Sequence, residues 1–318
     1  MRHRWLVTAV LAELAIALAA ACGARTGLPM DETQGQGGEG GTWVDAAPDR
    51  EAAVDAPPDR VEDVPDVFQE GLPECDPEAR YIYLITSQTI LYRFDPATNT
   101  TTSKGAISCP AADGATPFSM GVDRTGRAFV VYNDGELFAV DVETAACADI
   151  GFQPNQEDFD VFGMGFAIDD DRMGETLYVA EITFGEDSMG LGTIDTQTLD
   201  LDFVAPFSET FGSAIELTSS DDGRLFGYNL DEFGAGGWVI QIDKATAQIL
   251  EATFLPVGNS GALAFAQWGG DFYIFTTPGG GGTTVTRYDP DSGAVDEVTT
   301  LNETVVGAGV STCKTGGR

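Results

Sequence analysis

Carboxylates are the residues of this sequence with the most obvious capacity for chemistry. They cluster at Glu157-Asp158-Phe159-Asp160, at Asp169-Asp170-Asp171 and at Asp221-Asp222-Gly223. Several carboxylate and carbonyl oxygens converging on one point suit a hard cation such as calcium. Asp169, Asp170, Asp171, Asp221 and Asp222 are therefore the calcium candidates, although none follows a spaced Asp-x-Asp-x-Asp-Gly loop. Two carboxylates flanking a sugar bond could instead hydrolyse it, if the fold held them at a defined separation. The single histidine is His3. The rest of the chain therefore lacks Ser-His-Asp and Cys-His catalysis, His-ligated metal sites and haem attachment through Cys-x-x-Cys-His. The Gly-rich run Pro278-Gly279-Gly280-Gly281-Gly282-Thr283 lacks the Lys and the following helix of a phosphate loop and reads as a hairpin loop.

One carboxylate recurs with a period. Leu91-Tyr92-Arg93-Phe94-Asp95-Pro96-Ala97-Thr98 is a short strand ending in Asp, then a turn. Related octets end their strands at Asp141, Asp195, Asp243 and Asp289, and successive Asp residues are 46, 54, 48 and 46 apart. A near-constant period of this size marks an array of like supersecondary units. A carboxylate at a strand end can accept backbone N–H groups two or three residues on and so fix the turn. Five copies in one local context point to a shared structural role for Asp95, Asp141, Asp195, Asp243 and Asp289.

These octets must sit in larger units. Ser119–Asp123 is a short apolar strand, Ala128–Tyr132 a β-branched and aromatic one, and Asn133-Asp134-Gly135 a hairpin signal. Glu136–Asp141 is the repeated strand, and Ala146–Ile150 a polar outer strand, making four antiparallel strands in order. The same order recurs over 163–204, 213–254 and 261–299, whereas 81–107 holds only the last three strands. The orphan Val306–Thr312 reads as the missing first strand, supplied from the other end of the chain. Closing a ring this way removes the exposed edge that a linear array would leave. Small residues in the first strands, such as Gly121, Gly163, Gly165, Ala262 and Gly307, suit strands crowding a narrow axis.

Four-stranded repeats whose third strand reads Leu-Tyr-x-hydrophobic-Asp-x-x-Thr resemble blades of the YVTN/quinoprotein-like β-propellers. The resemblance covers residues 81–312 and implies an all-β, five-bladed β-propeller, with six blades as the alternative if 151–198 hides further strands. It carries no substrate. Ring closure places Cys75, just before the first complete strand, beside Cys313, at the end of the last, and predicts a disulfide between them. Cys109–Cys147 follows by exclusion, although the strand order assigns them to opposite faces of the ring.

The N-terminus reads as an export signal. Arg2 and Arg4 precede a run, Trp5–Ala21, that is apolar apart from Thr8 and Glu13. Ala19-Ala20-Ala21-Cys22 resembles the lipobox of bacterial lipoproteins, with Leu18 one place early. The resemblance makes residues 1–21 a signal peptide and Cys22 a lipidated first residue. Ordinary cleavage after Ala21, giving a secreted protein, is the alternative; an uncleaved anchor is disfavoured by the short run and by Glu13. Residues 22–74 are acidic and rich in Gly and Pro, with no apolar period, and read as a disordered tether to a propeller over 75–318. Four cysteines beyond Cys22 suit two disulfides in an oxidising compartment.

The chain carries 16 Lys+Arg against 51 Asp+Glu, a net charge of −35 over 318 residues. Nucleic acid and a polybasic grip on lipid are excluded by that balance; contact with a membrane would run through a lipid on Cys22. Phe159, Phe162, Phe184, Phe207, Phe211, Phe233 and Trp268, in or near long connections, are candidates for an exposed aromatic surface. The expectation is a lipid-anchored envelope protein, at the outer membrane or cell surface, acting as a non-catalytic binding or scaffolding module. Its partner would be an envelope protein or glycan, and no cofactor is called for. The alternatives are a carboxylate-based, calcium-dependent carbohydrate-active enzyme and a purely structural surface lipoprotein.

Overall fold

Twenty short β-strands, each shorter than a typical helix, account for nearly all regular structure in the computed structural model. It describes residues 71–183, 188–209, 214–230, 235–258, 261–279 and 281–313. All belong to the unit Pro65–Arg318. The signal segment, Cys22 and most of the tether lie outside the described residues.

The first complete strands are β1 (Ile82–Thr86), β2 (Ile90–Asp95) and β3 (Thr100–Ala106). Blade two comprises β4 (Pro117–Val122), β5 (Arg127–Tyr132), β6 (Leu137–Asp141) and β7 (Cys147–Asp149). Blade three comprises β8 (Phe162–Ile168), β9 (Glu175–Glu181), β10 (Leu191–Ile194) and β11 (Leu201–Ala205). Blade four comprises β12 (Ile215–Ser219), β13 (Leu225–Leu230), β14 (Gly237–Ile242) and β15 (Ile249–Leu255). Blade five comprises β16 (Ala262–Trp268), β17 (Asp271–Thr277), β18 (Thr283–Asp289) and β19 (Ala294–Leu301), and the last strand is β20 (Val305–Gly309). The strands form five antiparallel four-stranded sheets, and β20 is the innermost strand of blade one. Its register sets Tyr83 against Gly309 and Ile85 against Gly307. The innermost strands pack in a closed cycle: β20 on β4, β4 on β8, β8 on β12, β12 on β16 and β16 on β20. The protein is a five-bladed β-propeller. The segment 151–161, where a sixth blade could have begun, holds only a 3-10 turn at Gln156–Asp158.

The apolar second strands explain the packing. Alternate residues of a strand face opposite sides, and in a propeller both sides meet another blade. Val130 and Tyr132 of β5 enter the core between blades one and two, while Phe129 and Val131 enter the core between blades two and three. Three further inter-blade cores complete the ring. Each fully buried Phe or Leu contributes roughly 1.5–3 kcal/mol by leaving water. The outer strands, such as the Thr-rich β3, are largely exposed and polar.

Near the axis the blades approach at backbone distance. A Cβ on Gly163 would lie 2.1 Å from the Ile215 carbonyl oxygen, and one on Gly165 2.8 Å from that of Leu217. Only glycine permits β8 and β12 to come so close.

The repeated Asp turns are alike in detail. The Asp141 carboxylate accepts the N–H groups of Glu143 (3.0 Å) and Thr144 (2.8 Å) and the Thr144 hydroxyl (2.8 Å). Asp195 accepts from Gln197 and Thr198, Asp243 from Ala245 and Thr246, and Asp289 from Asp291 and Ser292. Asp95 accepts from Ala97. Hydrogen bonds led by those from Thr144, Thr198 and Thr246 hold Asp141, Asp195 and Asp243 below the ordinary carboxylate range. The residue four places after each Asp has positive φ: Asn99, Ala145, Leu199, Ala247 and Gly293. In four of the five turns its N–H returns to the carbonyl of that Asp.

Cys75 and Cys313 are joined, with Cα atoms 5.7 Å apart, as are Cys109 and Cys147 at 5.0 Å. The second bridge corrects the assignment of its cysteines to opposite faces. After β3 the chain leaves blade one along the core between blades one and two, where Ile107, Cys109, Ala111 and Ala115 pack together with Cys147. The Cys75–Cys313 bridge closes a span of 238 residues against 38 for the other. On loop-closure entropy these are worth roughly 5 and 4 kcal/mol. Cys313→Ser is expected to lower the urea midpoint more than Cys109→Ser does, as followed by tryptophan fluorescence. The reverse order would show that ring closure does not depend on the terminal bridge.

Candidate functional site

In every blade the first strand starts, and the second ends, at the same end of the ring. That end holds a cavity of about 690 Å³ on the axis. Pro117 and Phe118 of β4, Ala262 and Leu263 of β16, and Val306 of β20 line it, with Val161 and Ala214 just ahead of β8 and β12. Ile182 and Leu230, at the ends of the second strands, complete an apolar wall. The volume is that of a small-molecule site, and such sites combine apolar walls with few polar groups.

The polar group that matters is Glu216, on β12. The axial strands read PFSMGV, FGMGFAI, IELTS, ALAFAQW and VVGAG. Glu216 is the one ionisable side chain among them. It lines the cavity yet is 4% exposed. The Ser119 hydroxyl, on β4, donates to its Oε2 at 2.8 Å, bridging blades two and four. Neighbouring hydrogen bonds also run between blades: Ser219 Oγ donates to the Phe166 carbonyl, and the Gln267 N–H to Thr218 Oγ1. Burial pushes the Glu216 carboxyl up from 4.5 to about 8, against the opposing pull of the Ser119 hydrogen bond. At neutral pH the group is a neutral acid, with one O–H to donate and one carbonyl oxygen to accept.

At the opposite end of the axis a second, partly buried acid, Glu175, ties together the two segments joined by the Cys75–Cys313 bridge. Glu175 accepts the Arg124 N–H (2.8 Å) and the Thr312 hydroxyl (2.5 Å). The Arg124 guanidinium donates to the carbonyls of Thr312 and Pro73, on either side of the Cys75–Cys313 bridge. Burial raises Glu175 to about 7.

The calcium candidates are also at this far end, and each of four already has a protein partner. Asp169 accepts the Thr176 hydroxyl (2.7 Å), Asp170 pairs with Lys244 (2.7 Å), and Asp171 accepts the Met173 N–H (2.9 Å). Asp222 pairs with Arg224 at 2.9 Å. Asp221 lines a shallow pocket of about 270 Å³ between blades four and five. No group of three or more His, Cys, Asp or Glu that could hold a metal comes together among the described residues.

The aromatic surface is corrected in part. Phe159 and Phe162 are fully buried between blades two and three, because the segment ahead of β8 folds under that interface. Phe207 is half-buried, and the Trp268 indole donates to the Arg80 carbonyl. Phe184, Phe211 and Phe233 lie outside the described residues, as does Gly280 of the Gly-rich run.

No family model matches this chain, and no curated protein matches it. Among solved structures, hydrazine synthase from Kuenenia stuttgartiensis is 16% identical, covering 75% of this chain and 69% of that one, with a TM-score of 0.39. TolB from Acinetobacter baumannii is 13% identical over 70% of this chain and 54% of its own, with a TM-score of 0.40. The Dos1 propeller is 12% identical over 71% and 56%, with a TM-score of 0.36. The chain thus spans little more than half of the second and third, and no activity or ligand is carried over from any of them.

The pH dependence of stability reports on Glu216. Its folded pKa lies above its unfolded one, so its contribution is intact below about pH 4.5 and is lost as pH rises to about 8. Glu216→Gln keeps the shape and cannot ionise. The variant is expected to gain stability relative to the parent between pH 5 and 8, by an amount on the order of a few kcal/mol. Paired thermal melts check this. A constant difference across that range would mean that Glu216 ionises freely.

Proposed function

We propose that this protein is an exported, lipid-anchored binding module of the cell envelope, whose propeller takes a small, largely apolar ligand into the axial cavity without transforming it. The observation that carries this reading is the cavity itself: a drug-sized volume with apolar walls and one deeply buried polar anchor. A glycoside hydrolase needs two carboxyl groups roughly 5–9.5 Å apart across the bond to be cut. Among the described lining residues Glu216 is the one carboxyl, so the binding reading is favoured over the enzyme. Calcium dependence finds little support, because most of the candidate carboxylates already have protein donors.

Export and anchoring rest on residues 1–22, in particular Ala19-Ala20-Ala21-Cys22. Two disulfides support an oxidising compartment. The acidic segment between Cys22 and the propeller then serves as a spacer from the membrane.

Two measurements test the two halves. Produced in a bacterial host, the parent chain is expected in the membrane fraction with an acylated Cys22 by mass spectrometry, and Cys22→Ser in the soluble fraction. Equal partition of both would overturn anchoring. For binding, the full chain incubated with an envelope lipid extract is expected to retain a small molecule by native mass spectrometry, unchanged by EDTA. Ala262→Trp, which fills the cavity, should lose it while keeping its melting temperature; retention in the filled variant would place binding elsewhere.

A further inference from the structure

We infer that the axial cavity selects an organic monocation, a compact apolar body carrying one ammonium group seated on the Glu216 carboxylate. The inference rests on the reading of the cavity as a binding site and adds the chemical class of its ligand. Three observations carry it.

The first is an anion site short of its counter-charge. The Ser119 hydroxyl donates to Glu216, and a donated hydrogen bond is the interaction that favours the carboxylate over the acid. Among the described residues nothing basic completes the pair. The strands β4, β8, β16 and β20 carry no ionisable residue. Across the sheet Glu216 faces Tyr228 of β13, whose hydroxyl donates to the Val257 carbonyl and whose titration burial moves well upward. On β9, the Glu181 carboxylate accepts from the Thr183 hydroxyl and the Met189 N–H. In the empty cavity the charge is therefore suppressed by a proton, and a ligand cation is the partner that could replace that proton.

The second is the wall. Phe118, Val161, Ile182, Leu230, Leu263 and Val306 offer apolar area, and of the two other polar side chains in the lining, Thr116 and Asn133, the Asn133 Oδ1 already accepts the Thr116 N–H. A small inorganic cation would lose its hydration there without ligands to replace it. An ammonium carried on an apolar body gains burial of that body at about 25 cal/mol per Å². The third is the field. A net charge of −35 favours cations over anions of the same shape in the surroundings of the protein.

Binding is thereby coupled to release of the Glu216 proton. With that carboxyl near 8 in the empty protein, the ionised fraction grows about 50-fold from pH 6 to 8, and cation affinity grows with it. A neutral isostere would show no such gain.

The test uses the full chain and two rigid probes of one shape, 1-adamantylmethylamine and 1-adamantylmethanol, by isothermal titration calorimetry. The amine is expected to bind about 50-fold tighter at pH 8 than at pH 6, and the alcohol not to tighten. In Glu216→Gln the amine should fall to the affinity of the alcohol and lose its pH dependence. An amine no tighter than the alcohol at pH 8, or flat with pH in the parent chain, would overturn the inference while leaving a neutral binding cavity intact. If neither probe binds, the cavity reading falls as well. The pH profile needs no variant, so the inference stays decidable even if Glu216→Gln fails to fold.

Discussion

Ring closure is the constraint on which the rest of this protein depends. Four blades are built from consecutive strands, and the fifth is completed by pairing β20 with β1 across almost the whole domain. Without that pairing, blade one would present an unpaired inner edge, and the cores on its two sides would each lose a wall. The molecule ties the same junction in several other ways. Cys75 is bonded to Cys313, the Ser311 hydroxyl donates to the Ala79 carbonyl, and Arg124 grips the backbone on either side of the bridge. Partly buried Glu175 completes this latch. Non-local pairing is slow to form because its loop entropy must be overcome before any contact is gained, so holding the closed ring matters as much as forming it.

Closure also dictates what can line the axis. Five strands that meet around a point leave no room for large side chains, which is why β8 needs Gly163 and Gly165 opposite the β12 backbone. Where the strands diverge again, at the end where they begin, the same geometry opens the cavity. A single carboxyl in that setting is costly if charged and inexpensive if neutral. The acid thus sits at the one place in the ring where there is both space for a ligand and too little water to hold a charge unaided.

Much of the fold was legible because a β-propeller repeats its local physics. Each third strand ends in Asp, and each such Asp is followed four places later by a left-handed residue. Apolar second strands, polar outer strands and hairpin signals recur in order, and the orphan strand 306–312 had one vacant place to fill. What local pattern could not supply was the arrangement of segments without a period. Phe159 and Phe162 looked like loop aromatics because the stretch ahead of β8 has no alternation to betray its burial. Cys109 and Cys147 looked distant because strand order says nothing of a connection that runs back along an inter-blade core. Glu216 went unnoticed among 51 acidic residues. The signal was available: aligning the five axial strands leaves Glu216 as the one ionisable residue inside them, Asp123 falling at the end of its strand.

Two of the three acidic clusters, Asp169–Asp171 and Asp221–Asp222, lie at the other end of the molecule, whereas Glu157, Asp158 and Asp160 lie in the connection ahead of β8, at the cavity's end. In an antiparallel blade the turns from first to second strand and from third to fourth share one end, so Asp169–Asp171, Asp221, Asp222 and the five turn Asp residues all gather there. All but Asp221 are spent on structure: capping turns, pairing with Lys244 and Arg224, and fixing the left-handed residues. At the opposite end, where the other two classes of connection lie, the described cavity walls are mostly apolar. The far end of the ring thus carries the repeated capping turns, and the cavity at the near end holds Glu216 as the one carboxyl among its described lining residues. The acidic turns of the far end thereby stabilise the ring and add to its overall field, while inside the cavity Glu216 alone among the described lining residues offers a carboxyl to a cation.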